Sequence, residues 1–232
     1  MPPAQWISME VVEVRWETPE LFHLRIAPVL EESRLDFQAG QCVKISCPDG
    51  REGFFAMANE PETKGFLEFL VKDQPGSVAH ELCQAKLGDP IKISQPFGKG
   101  FPIERLKGKD ILLIGIGSGL SALRSLLKSL LRREQQFGEI TFLYGARIPE
   151  DIPYKSEFHL WAKKINLQIA VSQHPDPSGA NFKGRVTQLI PKLPLRPTQA
   201  VACICGTKAM EEEVTKLLES VGISKDNILL NH

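Results

Sequence analysis

The sequence predicts two unlike halves: an N-terminal antiparallel β-barrel and a C-terminal α/β domain built on a doubly wound parallel sheet. Three observations predict this. The first stretch, up to about residue 100, breaks into short runs of β-formers separated by turn residues. The segment Ile111–Leu131, ILLIGIGSGLSALRSLLKSLL, reads as a buried strand, a glycine turn and a helix. Beyond it, strand-like and helix-like segments alternate, as they do in parallel sheets. The pattern changes across Pro102–Lys109, so the expected domains are 1–104 and 105–232.

The barrel elements follow from apolar alternation and turn chemistry. Trp6–Val14 and Leu21–Ile26 are β-rich runs parted by Glu17-Thr18-Pro19-Glu20. Cys42–Cys47 alternates Val43 and Ile45 against Lys44 and Ser46, and Pro48-Asp49-Gly50 makes a turn. Phe54–Ala58 is a short apolar run ended by Asn59-Glu60-Pro61. Phe66–Val71 puts Leu67, Phe69 and Val71 on one face. Pro75-Gly76 opens a helix expected to run to Ala85, and Gly88-Asp89-Pro90 closes it. Ile91–Ser94 is the last barrel strand.

In the second half, Ile140–Tyr144, Leu167–Val171, Ala200–Cys205 and Ile228–Leu230 are expected strands. Ser156–Lys164, Val186–Ile190 and Thr207–Val221 are expected helices, the last with Met210, Val214, Leu217 and Leu218 on one face. His174–Gly179 reads as a loop rich in Pro and Gly. Glycines alternate at 115, 117 and 119 between strand and helix. They permit positive φ and close backbone approach. The first helix amides, from about Gly119, lack internal partners and can bind an anion, for which a dinucleotide pyrophosphate is the candidate. The alternative is a plain strand–turn–helix joint, because G-x-G-x-G is not the common G-x-G-x-x-G followed by an acid.

Composition bounds the function. The chain has 232 residues, 42% of them hydrophobic, with 28 Lys+Arg against 28 Asp+Glu. Zero net charge argues against a nucleic-acid binder. The N-terminus lacks the basic start and apolar core of a signal peptide, and no apolar run is long enough for a membrane span. The cysteines number five, at 42, 47, 83, 203 and 205, with no C-x-x-C pair, and the histidines form no H-x-x-H or H-x-x-x-H pair. Neither a disulfide framework nor a metal site is signalled. A cytoplasmic location is expected, or an organelle interior after loss of a transit peptide.

Several short motifs occur in a shared order: Phe54-Phe55-Ala56-Met57-Ala58-Asn59-Glu60-Pro61, Gly76-Ser77-Val78-Ala79, Gly88-Asp89 with Pro96-Phe97-Gly98, Gly117-Ser118-Gly119-Leu120-Ser121-Ala122, Tyr144-Gly145-Ala146-Arg147, and Cys205-Gly206-Thr207 with Met210. Over almost its whole length the chain resembles the ferredoxin–NADP reductase superfamily, nearest its flavin-reductase-like members. The resemblance implies FAD or FMN on the barrel and NADH or NADPH on the α/β domain. The family's R-x-Y-S segment falls on Gly53, Phe54, Phe55 and Ala56, so the arginine and serine are missing while Phe55 keeps the ring. It implies Phe55 stacked on the isoalloxazine, Ala56 in the serine's place, and the amides of Met57 and Ala58 at the ring edge. Arg51 or a lysine is left to replace the missing phosphate partner. The alternative for Phe54–Ala58 is an ordinary core strand.

The same resemblance makes Gly76, Ser77, Val78 and Ala79 a second phosphate loop, or else an ordinary helix start. Gly117, Ser118 and Gly119 become the pyrophosphate turn. Arg147 becomes a phosphate or adenine contact, with a solvated surface arginine as its alternative. Ser172-Gln173 falls where NADPH-preferring relatives carry a serine–arginine pair, so neutral Gln173 favours NADH. Cys205, with Gly206, Thr207 and Met210 following, falls beside the nicotinamide carbon that gives up hydride, and its alternative is a small buried residue. Where plant-type relatives close the flavin face with an aromatic, His232 or a partner is left to cover it. The implied activity is a flavin-dependent NAD(P)H oxidoreductase passing electrons to an unidentified acceptor, an acceptor protein among the candidates. A reductase of free flavin and a non-enzymatic nucleotide- or partner-binding module are the other readings.

Overall fold

A computed structural model of the chain describes residues 6–30, 35–47, 50–173 and 181–231. The expected turn at Pro48-Asp49, the loop His174–Gly179 and His232 lie outside the described residues. Six strands form the first sheet: β1 (Ile7–Trp16), β2 (Leu21–Pro28), β3 (Cys42–Ser46), β4 (Glu52–Ala56), β5 (Leu67–Lys72) and β6 (Pro90–Ile93). Their order is β4-β3-β6-β1-β2-β5, every pairing antiparallel. The sheet curls around Met9, Val11, Phe22, Leu24, Ile26, Val43, Ile45, Phe69 and Ile93. Helix α1 (Val78–Cys83) closes one end by burying Val78, Ala79 and Leu82.

The second sheet is parallel throughout. Its strands are β7 (Asp110–Ile116), β8 (Ile140–Ala146), β9 (Asn166–Val171), β10 (Phe182–Lys183), β11 (Ala200–Cys205) and β12 (Ile228–Leu230), in the order β10-β9-β8-β7-β11-β12. Helices α2 (Leu120–Leu131) and α3 (Lys155–Trp161) cover one face, packing on Ile111, Leu113, Phe142 and Tyr144. Helix α4 (Lys208–Ser220) and the short turns at 186–192 cover the other, packing on Leu112, Ile114 and Leu143. Strand order that reverses at β7, with helices on both faces, is the doubly wound arrangement expected from the alternating pattern.

The two sheets share one element. α2 buries its leucines against the parallel sheet, and that core takes in Leu21, Leu70 and Phe101 from the barrel side. The other face of α2 is polar yet also buried, with Ser121, Arg124, Ser125 and Ser129 almost sealed. These residues recur every three or four positions, so they form one stripe, and the stripe meets the barrel segment that follows β4. Ser121 Oγ donates to the Ala56 carbonyl at 2.7 Å and accepts from Leu70 N at 3.1 Å. Ser125 Oγ donates to the Asn59 carbonyl, and Ser129 Oγ donates to Glu62. Lys128 and Arg132 pair with Glu60. β5 is therefore buried on both faces, and the alternation read in its sequence marks only the face turned to the barrel core.

Arg124 is the centre of this contact. Its guanidinium donates to the Ala58 carbonyl (2.8 Å), Glu68 (2.7 Å) and Glu157 (2.6 Å), and lies over the Tyr154 ring. Burial alone raises the Glu68 carboxyl, but Arg124 outweighs it and holds it down at about 2. Tyr154 adopts a left-handed conformation, φ 49°; its N–H donates to Glu17 and its hydroxyl shares a 2.9 Å hydrogen bond with His23 Nδ1. His23 Nε2 is buried without a hydrogen-bond partner among the described residues, 3.9 Å from both Glu13 and Glu68.

Burial pushes the His23 imidazole down to about 4, against a smaller upward pull from Glu68. The unfolded chain takes up a proton here below about 6.5 while the folded chain does not until about 4. Stability contributed by neutral His23 is therefore complete above pH 6.5 and is lost as pH falls towards 4. Denaturant titrations at pH 7 and pH 5 should show a marked loss of stability at the lower pH in the wild type. In His23→Gln that loss should shrink by on the order of 2 kcal/mol; an equal loss in both proteins would refute the assignment.

Candidate dinucleotide cleft and the barrel face beside it

Four parallel strands bring their carboxyl ends to one rim: Ile116 of β7, Gly145-Ala146 of β8, Ser172 just past β9 and Gly206 just past β11. Open α/β sheets receive ligands at such rims. The barrel supplies the facing wall through Thr18, Glu20, Leu21 and Lys72, and the cleft between them encloses about 560 Å³.

The glycine turn lines this cleft. Gly117 has φ +53°, and a Cβ built on it meets nothing within 4 Å, so its backbone lies open to the cavity. Gly119 does the opposite job. A Cβ there would stand 2.3 Å from the Cys205 carbonyl oxygen, so only glycine lets the turn pack on the Cys205–Gly206 peptide. The helical turn already starts at Gly117, and Leu120 N donates to the Gly117 carbonyl. The amides without a partner inside the helix thus belong to Gly117, Ser118 and Gly119, two residues earlier than the sequence reading placed them. The buried Tyr144 hydroxyl donates to the Gly117 carbonyl at 3.2 Å and steadies the turn from below.

Most other expected residues of the α/β side reach the same cleft. Ser118, Arg147, Ser172, Gly206, Thr207 and Met210 all line it. Thr207 caps α4, its hydroxyl accepting from Met210 N. Met210 packs beneath Gly206, where any side chain would strike its methyl group. Arg147 pairs with Asp151 and, across the cleft, with Glu20, which also holds Lys72. Gln173 is exposed and does not line the cleft; its amide donates to the Arg147 carbonyl. The sequence reading overlooked Arg185, which lines the cleft and forms no ion pair among the described residues. Its only sequence signal is a cation two residues beyond the two-residue strand β10, which is too short to be visible as a strand.

Cys205 lies at the end of β11, away from the cleft lining and close to the barrel. Burial pushes its thiol up to about 12, nearby Glu211 adds to this, and the Asn231 amide donates to Sγ at 3.5 Å. Such a group stays a neutral thiol, with neither nucleophilic nor acid–base capacity at ordinary pH. Cys42 of β3 adds a smaller upward push.

On that barrel face three sequence expectations need correction. Phe55 pairs with Val43 and Gly53 with Ile45, and directly opposed residues share a face. Val43 and Ile45 are fully buried in the barrel, so Phe55 turns inward and joins that core. Its ring stands 2.7 Å from where a Cβ on Gly53 would be, filling the place of an arginine side chain. The outward ring is Phe54, 65% exposed, edge-on to Phe97 at 5.8 Å and beneath the Lys44 ammonium. Met57 and Ala58 are fully buried, and their amides already donate to Gln41 and Glu68 carbonyls, so neither is free for a ring edge. Ala56 remains on the outer face, opposite Cys42.

At the expected phosphate loop, Gly76 has φ +76° and Ser77 Oγ donates to the Gln74 carbonyl. Val78 and Ala79 point into the barrel core, so they can offer a ligand only backbone. Arg51 reaches this turn: it donates to the Gly76 carbonyl at 2.9 Å and pairs with Glu81. Among the described residues no helix is long and apolar enough to cross a membrane.

Known proteins share this fold and part of the sequence. Residues 113–216 match the family model described as an oxidoreductase NAD-binding domain. The chain is 30% identical over 217 residues to the sulfhydrogenase 1 gamma subunit of Pyrococcus furiosus, covering 92% of this chain and 74% of that one. It is 30% identical over 236 residues to the reductase component of propane 2-monooxygenase from Rhodococcus jostii, covering 97% of this chain but 63% of that protein. A ferredoxin NADP+ reductase from Neisseria gonorrhoeae, solved with bound FAD and NADP, superposes with a TM-score of 0.85 at 19% identity, over 98% of both chains.

The Gly117 geometry makes a test. A valine at φ +53° is strained, and its side chain would project where the turn amides must meet an anion. Gly117→Val should keep its circular dichroism spectrum and lose NADH binding by tenfold or more, about 1.4 kcal/mol, in a fluorescence titration. Unaltered affinity in the folded variant would reduce the turn to scaffold.

Proposed function

The chain belongs to the ferredoxin–NADP reductase-like family of FAD- and NAD(P)-binding oxidoreductases, and from that premise we propose that it is an NAD(P)H-dependent flavin oxidoreductase serving a separate electron acceptor. The observation that carries the reading is the cleft, which the glycine turn at the start of α2 lines at the strand ends. The residues present fit a pyridine dinucleotide there: amides for the pyrophosphate, and a neutral buried thiol beside the rim. Hydride and electron chemistry is the flavin's when it is bound. The protein's part is to place the two rings together and exclude water.

For the flavin ring we assign the outer barrel face: Phe54 and Phe97 as an apolar shelf, Ala56 and Cys42 beside it, Cys205 opposite. Phe54 takes the stacking role that the family alignment gives to Phe55. The phosphate side fits less fully, since Phe55 fills the space over Gly53 and Arg51 is shared with Glu81. Loss of one charge-assisted contact weakens binding by about 1.5–3 kcal/mol, tenfold or more, so affinity in the micromolar range is expected. The same gap favours a second reading, in which free flavin is a substrate that dissociates each turnover.

Anaerobic NADH or NADPH added to protein with excess FAD or FMN should bleach the flavin's visible absorbance, and a dye acceptor should restore it. No flavin binding at hundreds of micromolar would remove both readings. Retention of flavin through gel filtration would decide between bound cofactor and free substrate. Phe54→Ala should weaken flavin binding by about tenfold through lost stacking, whereas Phe55→Leu should act on barrel stability.

The cleft also bears on the choice of dinucleotide. Gln173, neutral and outside the cleft, supplies no cation for a 2′-phosphate, so NADH should be used at least as well as NADPH. Arg185 is the cleft cation that a 2′-phosphate can meet without displacing an ion pair among the described residues, whereas Arg147 and Lys72 both pair with Glu20. Arg185→Gln should lower kcat/KM for NADPH by about tenfold with little change for NADH. Equal losses with both would place Arg185 on the part the two nucleotides share.

A further inference from the structure

Asp73, His80 and Cys83 stand together on the barrel, outside the cleft and the flavin face. Asp73 is the first residue beyond β5, and His80 and Cys83 lie one turn apart on the same face of α1. His80 Nδ1 meets Asp73 Oδ1 at 2.8 Å, and Cys83 Sγ donates to the His80 carbonyl at 3.0 Å. One ligand-type atom from each residue lies within 4.8 Å of the others. All three side chains are half-buried, so the cluster is sheltered yet reachable from solvent.

We propose that Asp73, His80 and Cys83 form a binding site for one divalent cation of the zinc class. The donor set is a thiolate, an imidazole and a carboxylate. That mixture suits Zn²⁺ or Co²⁺, while Mg²⁺ and Ca²⁺ want oxygen alone. Bonds of about 2.0–2.3 Å set tetrahedral edges of roughly 3.3–3.7 Å, so the cluster need contract only slightly by side-chain rotation. The imidazole is already aimed. Its Nδ1 faces Asp73, and its Nε2 stands 2.9 Å from the Gln84 side-chain amide nitrogen. A half-turn of that amide brings its oxygen to an Nε2–H, the outer support of a metal-bound histidine, and leaves the Nδ1 lone pair for the metal. Water fills the fourth position. Binding releases the Cys83 thiol proton to solvent.

The sequence hides this site. His80 and Cys83 make an H-x-x-C pair, and the third ligand comes from seven residues upstream, across the Gln74–Ser77 turn. A bound cation would tie the end of β5 to α1 and close that turn. Metal binding here does not depend on the flavin reading.

The test uses the full chain, freed of metal by dialysis against a chelator. Co²⁺ should bind one equivalent with micromolar or tighter affinity and give a thiolate-to-metal band in the near ultraviolet, which Zn²⁺ should displace. Cys83→Ser should abolish the band, and Asp73→Asn should weaken Co²⁺ binding by roughly tenfold. Because a variant in α1 can disturb the barrel, His80→Ala, checked by circular dichroism, gives an independent arm with the same expected weakening. No band in the wild type, a band that survives Cys83→Ser, or unchanged affinity in folded His80→Ala would each overturn the site.

Discussion

The arrangement depends on a polar stripe that is buried rather than solvated. α2 belongs to the parallel sheet by its leucines and to the barrel by Ser121, Arg124, Ser125 and Ser129. Each of these hydroxyls and the guanidinium meets a backbone carbonyl or carboxylate between Ala56 and Glu68. A buried guanidinium is tolerable only when every charge beside it is matched. Arg124 meets Glu68 and Glu157, and Tyr154 packs on its face. Removing the arginine would leave Glu68 nearly sealed from water with only the half-exposed Arg25 to balance it, which is far costlier than losing a surface pair. The stripe therefore fixes position more than it adds stability. Hydrogen bonds are directional, and a slide of one turn along α2 would orphan several at once.

That fixed position creates the cleft. The glycine turn is the lead-in to α2, so anchoring α2 on the barrel also sets the turn opposite Thr18, Glu20 and Lys72. His23, Tyr154 and Glu17 extend the same contact towards this wall, and a left-handed Tyr154 is part of it. Backbone strain of this kind persists only where surrounding contacts hold it.

Much of the architecture is legible in the sequence, because each element is announced by its own period. Strand alternation, the run of leucines in α2 and the glycine turn are local signals, and the structure puts most strands and helices near where they point. The exceptions are Val186–Ile190, read as a helix but folded as two short 3-10 turns, and Phe54–Ala58, whose strand is Glu52–Ala56. What was illegible is what depends on partners. Hydrophobic spacing in α2 marks one buried face and is silent about a second, polar one. Phe54 and Phe55 are adjacent and equally aromatic, so the sequence cannot say which faces out; pairing with β3 decides it, since one step along a strand reverses the face. The amides of Met57 and Ala58 read as free until their acceptors on Gln41 and Glu68 are placed. Arg185 escaped notice because β10 has only two residues, and Lys72 and Glu20 because they join the site from the other sheet.

The electrostatics of the cleft explain how a chain with no net charge can still receive a polyanion. Lys72, Arg147 and Arg185 line it, but so do Glu20, Asp151 and Glu213, so there is no strong static field to draw an anion in. The attraction is instead built from exchangeable parts. Arg147 is largely exposed, and its pairs with Glu20 and Asp151 are surface contacts of the kind that contribute little. A phosphate can take over that guanidinium at small cost, with Lys72 left to neutralise Glu20. The turn amides need no exchange at all, since no partner within the helix competes for them. On the proposed reading, affinity rests on backbone that is always ready, and the side chains adjust around it. The ion pair from Arg147 to Glu20 also bridges the two sheets, so a ligand that displaces it would loosen the cleft wall while leaving the α2 stripe untouched.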